Sequence, residues 1–134
     1  MTDETTYDDA PATPIAILWD GILSVPLVGV IDSKRGQDIM DDMLRAIKQT
    51  GAKVVLLDIM GVPAVDSAVA SHIIKMTKAT RLMGCTCVVS GISPAIAQTM
   101  VHLGIELGDV VTVSKLRDGF KVALDHLGLS VVKI

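Results

Sequence analysis

Residues 53–59, KVVLLDI, and 85–91, CTCVVSG, constrain this chain more than any other feature. Both are short apolar runs rich in β-branched residues, without regular polar alternation. A strand with one wet face alternates, whereas a strand buried on both faces does not, and such strands belong to parallel sheets with helices on either side. The segments around them carry helical punctuation. Asp32 or Ser33 caps a segment in which Ile39, Met40, Met43, Leu44 and Ile47 share one face and Lys34, Asp38, Asp41, Asp42, Arg45 and Lys48 the other; Gly51 ends it. A second helix runs from Asp66 to Met83 and closes at Gly84. Ser93, Pro94 and Gly104 supply a cap, a first-turn proline and a stop for a third.

The ends of the chain complete the pattern. Asp20-Gly21 between apolar runs predicts a hairpin of strands 15–19 and 22–29, with Pro26 marking an edge or a bulge. After the third helix, a short strand near 110–112 leads to Ser114, read as the cap of a last helix. Leu116, Phe120, Ala123, Leu124 and Leu127 form its stripe and Gly128 its stop. The order ββαβαβα(β)α predicts one α/β domain over residues 14–134, a mixed, mostly parallel sheet with an N-terminal antiparallel hairpin and about four helices. Residues 1–13 read as an acidic flexible tail.

Charge narrows the function classes. The formal net charge is −3, but Asp3, Glu4, Asp8 and Asp9 leave a folded part with 11 acids against 12 bases. A nucleic-acid binder needs a basic face and stacking aromatics, and only Tyr7, Trp19 and Phe120 are aromatic. Near neutrality with a mean hydropathy of +0.54 removes a barrier to self-association, so an oligomer or a partner-bound protein is expected. No apolar run approaches the ~20 residues of a membrane span and no secretory signal is evident, so a cytoplasmic protein is expected. Cys85 and Cys87, two apart on a strand, point to the same core side as small buried hydrophobes. His72, His102 and His126 sit singly on helices, expected to face solvent or a helix end. Neither a metal nor a cofactor is expected.

Sites of open α/β sheets lie at the carboxyl ends of the strands. Here that rim comprises Gly29, Asp32 and Ser33; Asp58, Ile59 and Met60; Asp66 and Ser67; and Ser90, Gly91, Ile92 and Ser93. It holds carboxylates and hydroxyls but no base to activate a serine, and no Gly-x-Ser-x-Gly elbow or phosphate-cradling loop. A hydrolytic reading with Asp58, Asp66 and Ser67 therefore lacks a base. The hydroxyls fit better as substrates: a phosphate at a helix start gains from the free N–H groups and the dipole, and adds about −1.5 to −2 charges. The plain alternative is that Asp66 and Ser67 only cap the helix.

PLVGVIDSKRGQDIM, DIMGVPAVDSAVASHIIKM and TRLMGCTCVVSGISPAIAQTMVHLGIEL together resemble the STAS domain of anti-sigma-factor antagonists, and in particular the RsbR-type co-antagonists of the bacterial stressosome. The resemblance runs from about residue 14 to residue 127. It implies a non-enzymatic partner switch that binds a serine/threonine kinase of the RsbT type, assembles with paralogous STAS proteins of the RsbS and RsbR types, and releases the kinase when phosphorylated. It places phosphoacceptors at Ser67 and Ser33, and the rim and helix start around them make Asp66, Asp58, Asp32, Ala68, Val69 and Ser93 the expected partner-binding residues. Two departures stand out: RsbR-type proteins commonly carry an N-terminal sensor domain, and serines here replace the more usual threonines. The runner-up is a stand-alone antagonist that binds an anti-sigma kinase directly, without a large assembly.

Overall fold

The computed structural model describes residues 13–104 and 110–134. Residues 1–12 of the expected acidic tail lie outside them, but Thr13 is tied down: its hydroxyl donates to Asp42 Oδ2 at 2.7 Å. The elements run β1 (Ala16–Trp19), β2 (Ile22–Val28), α1 (Ser33–Thr50), β3 (Val54–Gly61), α2 (Ser67–Leu82), β4 (Thr86–Ser90), α3 (Pro94–His102), β5 (Val111–Thr112) and α4 (Leu116–His126). The sheet order is β1-β2-β3-β4-β5; β1 pairs antiparallel with β2 and every other pairing is parallel.

The non-alternating run 53–59 becomes the central strand β3, and its period of two divides it between two cores. Val55, Leu57 and Ile59 face the larger core, built with Ile39, Met43 and Ile47 of α1, Ala70, Ile73 and Met76 of α2, and Ile96 and Met100 of α3. Val54 and Leu56 face the smaller one, closed by Ala123 and Leu124 of α4. All four residues from Val54 to Leu57 are fully buried. At about 1.5–3 kcal/mol for each buried aliphatic side chain, this strand anchors both layers. On β2 the pattern differs: Leu23, Val25 and Leu27 are buried while Ser24 and Pro26 are only half-buried, since α4 lies over β3 and β4. Both cysteines fall in the larger core.

The expectations for the start of α4 and for His72 need correction. Ser114 does not cap α4: the helix starts at Leu116 with Lys115 in the cap position and no side-chain bond to its first turn. Leu116 is correspondingly exposed, and the buried face of α4 runs through Gly119, Ala123 and Leu124, with Phe120 and Leu127 partly buried beside them. Gly119 lets the helix lie close, since a Cβ there would meet Val113 at 3.3 Å and Leu56 at 3.6 Å. Of the two readings of Pro26, the bulge holds: β2 lies between β1 and β3 and is no edge, and the register with β3 shifts between Pro26 and Val28. His72 faces neither solvent nor a helix end. It is half-buried against α1, where a Cβ on Gly36 would lie 2.9 Å from its ring. Singly placed histidines gave no sign of that crossing, because the small residue that admits the ring lies far away in the chain.

Candidate functional site

The carboxyl rim presents the same local arrangement twice. Asp32 and Asp66 both hold extended backbone, and each carboxylate accepts the N–H three residues on, from Arg35 and from Val69, at 2.8 Å. That removes one orphan donor from each helix start. Ser33 and Ser67 therefore occupy the first helical position of α1 and α2 with the capping already done. Both serines are exposed, and neither hydroxyl makes a hydrogen bond among the described residues. Of the two roles weighed for the Asp66-Ser67 pair, the cap falls to the aspartate alone.

The neighbouring strand ends are built differently. Ser90, wholly buried, donates its hydroxyl to Asp58 Oδ1 at 2.8 Å, across the register pair that joins β3 to β4. Gly91 follows with φ +82°, and a Cβ there would lie 2.5 Å from the backbone nitrogen of Met60 and 2.7 Å from Asp58 Oδ1. Asp58 is thus a bracket between strand ends, half-buried and already bonded. Ser93 is also committed: its hydroxyl accepts the Ile96 N–H at 3.1 Å as the cap of α3. Val69, expected at the partner-binding rim, turns inward and joins the larger core, so the exposed position beside Ser67 is Ala68.

Sequence reasoning named Met60 only as part of the rim and missed how much apolar surface surrounds it. Val28, Val30 and Met60 are all exposed, Met60 at 73 %. Met60 shares the parity of Leu56, which α4 covers, but stands beyond that cover at the end of β3. Arg35 holds the loop between β2 and α1, donating through Nη1 to the carbonyls of Val28 and Val30. Lys34 pairs with Asp38 at 2.9 Å. The two cations beside Ser33 are therefore both engaged, Arg35 with neutral backbone oxygens.

Chemically, the rim offers two free hydroxyls among carboxylates and apolar side chains. Among the described residues, no side chain accepts a hydrogen bond from either hydroxyl. His102 and His126 stand in the last turns of α3 and α4. Among the described residues, no group of three or more His, Cys, Asp or Glu side chains is placed to hold a metal ion, and no helix is long and apolar enough to cross a membrane.

Comparison with known proteins adds the following. The family model for the STAS domain matches residues 14–118. RsbT co-antagonist protein RsbRA of Bacillus subtilis (strain 168) is 42% identical over 123 residues, covering 92% of this chain and 45% of that protein. The chain spans less than half the length of the RsbR-type relatives it matches. Among solved structures, a point variant of RsbS from Moorella thermoacetica superposes with a TM-score of 0.75 at 24% identity, covering 89% of this chain and all of that one. A chain from the molecular architecture of the stressosome gives 0.68 at 24% identity over 86% and 98% of the two chains. These likenesses carry the α/β fold with its N-terminal hairpin.

Proposed function

This chain belongs to the STAS-domain family, and from that premise we propose that it is a non-enzymatic partner switch of a bacterial stress-signalling assembly. In this reading it works in the cytoplasm, assembles with paralogous STAS proteins, binds a serine/threonine kinase of the RsbT type, and releases it when Ser67 is phosphorylated. Ser33 is a second, slower acceptor. The relatives that support the reading are named as RsbT co-antagonists.

The observation that carries the proposal is the unengaged hydroxyl. Ser67 is exposed at the start of α2 while Asp66 does the capping, so the serine has no structural task that phosphorylation would disturb. Before modification, Ser67 is small and neutral beside exposed Ala64 and Ala68, and Met60, Val28 and Val30 extend the apolar surface of the same rim. Phosphorylation brings a near-dianion with three acceptor oxygens into that surface. Covering it with a partner would desolvate an unpaired charge, at a cost of several kcal/mol, and each ~1.4 kcal/mol is tenfold in affinity. The free N–H groups and dipole at the helix start offset only about 0.5–1 kcal/mol, so the fold survives while the contact does not. Asp66, Asp32 and Asp58 add to the local negative charge.

Incubation with ATP and an RsbT-type kinase, followed by peptide mass mapping over time, tests the assignment. Ser67 is expected to be modified first and Ser33 later or only in part. A Ser67 peptide left unmodified by a kinase that phosphorylates a related STAS protein in the same tube would defeat the reading.

A further inference from the structure

His72 is half-buried where α2 crosses α1, and neither ring nitrogen has a hydrogen-bond partner among the described residues. An imidazole carries at least one N–H whatever its protonation state, so the ring holds a donor that no described group meets. Its neighbours say where that donor stands. Each Cα–Cβ bond of a helix tilts toward the helix N-terminus, and a Cβ at Gly36 would lie 2.9 Å from both Cγ and Nδ1 of the ring. The imidazole therefore lies over the first turn of α1, the turn that Ser33 begins.

Ser33 is on the side of α1 that meets this ring. Ser33, Gly36, Met40 and Leu44 are spaced by three and four residues, a stripe that runs from an exposed serine through a buried glycine to two half-buried side chains. The opposite flank belongs to Asp42, which takes the Thr13 bond just ahead of β1, on the far side of β2 from β3. Ser33 and a Cβ at position 36 would be about 5–6 Å apart, a gap that the longer arm and three acceptor oxygens of a phosphoserine span. The charged groups beside α1's first turn are already engaged: Asp32 with the Arg35 N–H, Lys34 with Asp38, and Arg35 with the carbonyls of Val28 and Val30. Lys75, one turn beyond His72 on α2, is exposed and has no ion-pair partner among the described residues. Ser67 is placed differently. It lies roughly 140° round α2 from His72 and points away from the crossing.

We propose that His72 receives the phosphoryl group of phosphorylated Ser33, donating a ring N–H to it across the α1–α2 crossing. This rests on Ser33 being an acceptor, as in the function proposed above. The two acceptors then differ in kind. A phosphate on Ser67 stands out toward a partner, whereas one on Ser33 is bonded within the protein and ties the start of α1 to α2.

Phosphoserine placed at position 33 during translation, through a reassigned codon, tests the contact without any kinase. A donor to the dianion favours it, so the second ionisation of this phosphate, ordinarily at about 6, is expected to fall by about half a pH unit or more relative to the same protein carrying His72→Phe, read by phosphorus NMR. Phenylalanine keeps a ring in the crossing and removes both nitrogens. Phosphoserine at position 67 is expected to titrate alike in the two backgrounds. In the chain with His72 in place, the nitrogen NMR signals of the ring are expected to move when position 33 carries phosphate and to stay when position 67 does, a comparison that needs no substituted helix to fold. An unmoved midpoint at position 33, unmoved ring signals, or an equal effect from position 67 overturns the proposal. The earlier reading fails separately: a kinase that never modifies Ser33 removes the second acceptor without touching the contact in the encoded phosphoprotein.

Discussion

Ser67 and Asp66 are adjacent, but the structure assigns them different work, and substitution separates the two. Asp66 accepts the Val69 N–H, so Asp66→Ala is expected to lower stability by about 1 kcal/mol, while Ser67→Ala shifts it by less than about 0.5 kcal/mol. Thermal or denaturant melts of the two variants check this directly; equal losses would return Ser67 to a capping role. Binding is expected to invert the order. Ser67→Ala keeps the kinase and cannot be switched, and Ser67→Asp folds normally and binds at least tenfold more weakly in a pull-down. If the Ala and Asp variants, both folded, bind equally, the switch does not lie at Ser67.

The two helices that begin at these serines are held against each other by a contact between a ring and a glycine. His72 of α2 lies over Gly36 of α1, and a Cβ at Gly36 would come 2.9 Å from the ring. Gly36→Ala therefore sets two terms against each other. Helix propensity favours alanine by about 1 kcal/mol, while overpacking costs about 1–3 kcal/mol. The expected net is a loss of up to about 2 kcal/mol. In a His72→Ala background the ring is gone, and the same Gly36→Ala change is expected to stabilise by up to about 1 kcal/mol. A double-mutant cycle measures the change of sign, and additivity would mean the crossing relaxes without cost. A contact of this kind is invisible to periodicity. The face of α1 was legible from Ile39, Met43 and Ile47, but a glycine on that face reads as a mere weakness in the helix until its neighbour is known.

For the molecule as a whole, the two buried thiols make stability depend on pH on the alkaline side. Burial pushes the Cys85 thiol up to about 11 and Cys87 up to about 12, from an ordinary value of 9.0, because the charged thiolate is poorly solvated in the core. The unfolded chain ionises near 9, and the folded chain resists until two or three pH units higher. Stability from this source is thus fully present below pH 9 and is lost as pH rises from 9 through about 11–12. The melting temperature is expected to hold across neutral pH up to about 9 and to fall above it, and a Cys85→Ala/Cys87→Val variant to fall less steeply. The same burial predicts no alkylation by a thiol reagent at about pH 8 until denaturant is added. Rapid labelling of the native protein would place a thiol at the surface.

Much of this protein was legible because local rules and tertiary outcome agree. The unalternating run 53–59 required cover on both faces, and β3 has it from α1 and α2 on one side and α4 on the other. The Asp-Gly turn, the aspartate caps of α1 and α2 and the Ser-Pro start of α3 depend on backbone conformations and reaches of three residues, so they follow from the chain itself. The division of labour within Asp66-Ser67 did not, because either side chain satisfies a helix start, and only the fold shows which one accepts the bond. Likewise Ser90 reads as a strand residue and Asp58 as a rim carboxylate until the parallel register of β3 and β4 sets them opposite each other across 32 positions. Sequence determines whatever a few consecutive residues can satisfy among themselves. Which polar group meets which across the sheet, which valine turns inward beside the serine, and which apolar side chains stay in water are fixed only when distant elements compete for the same space.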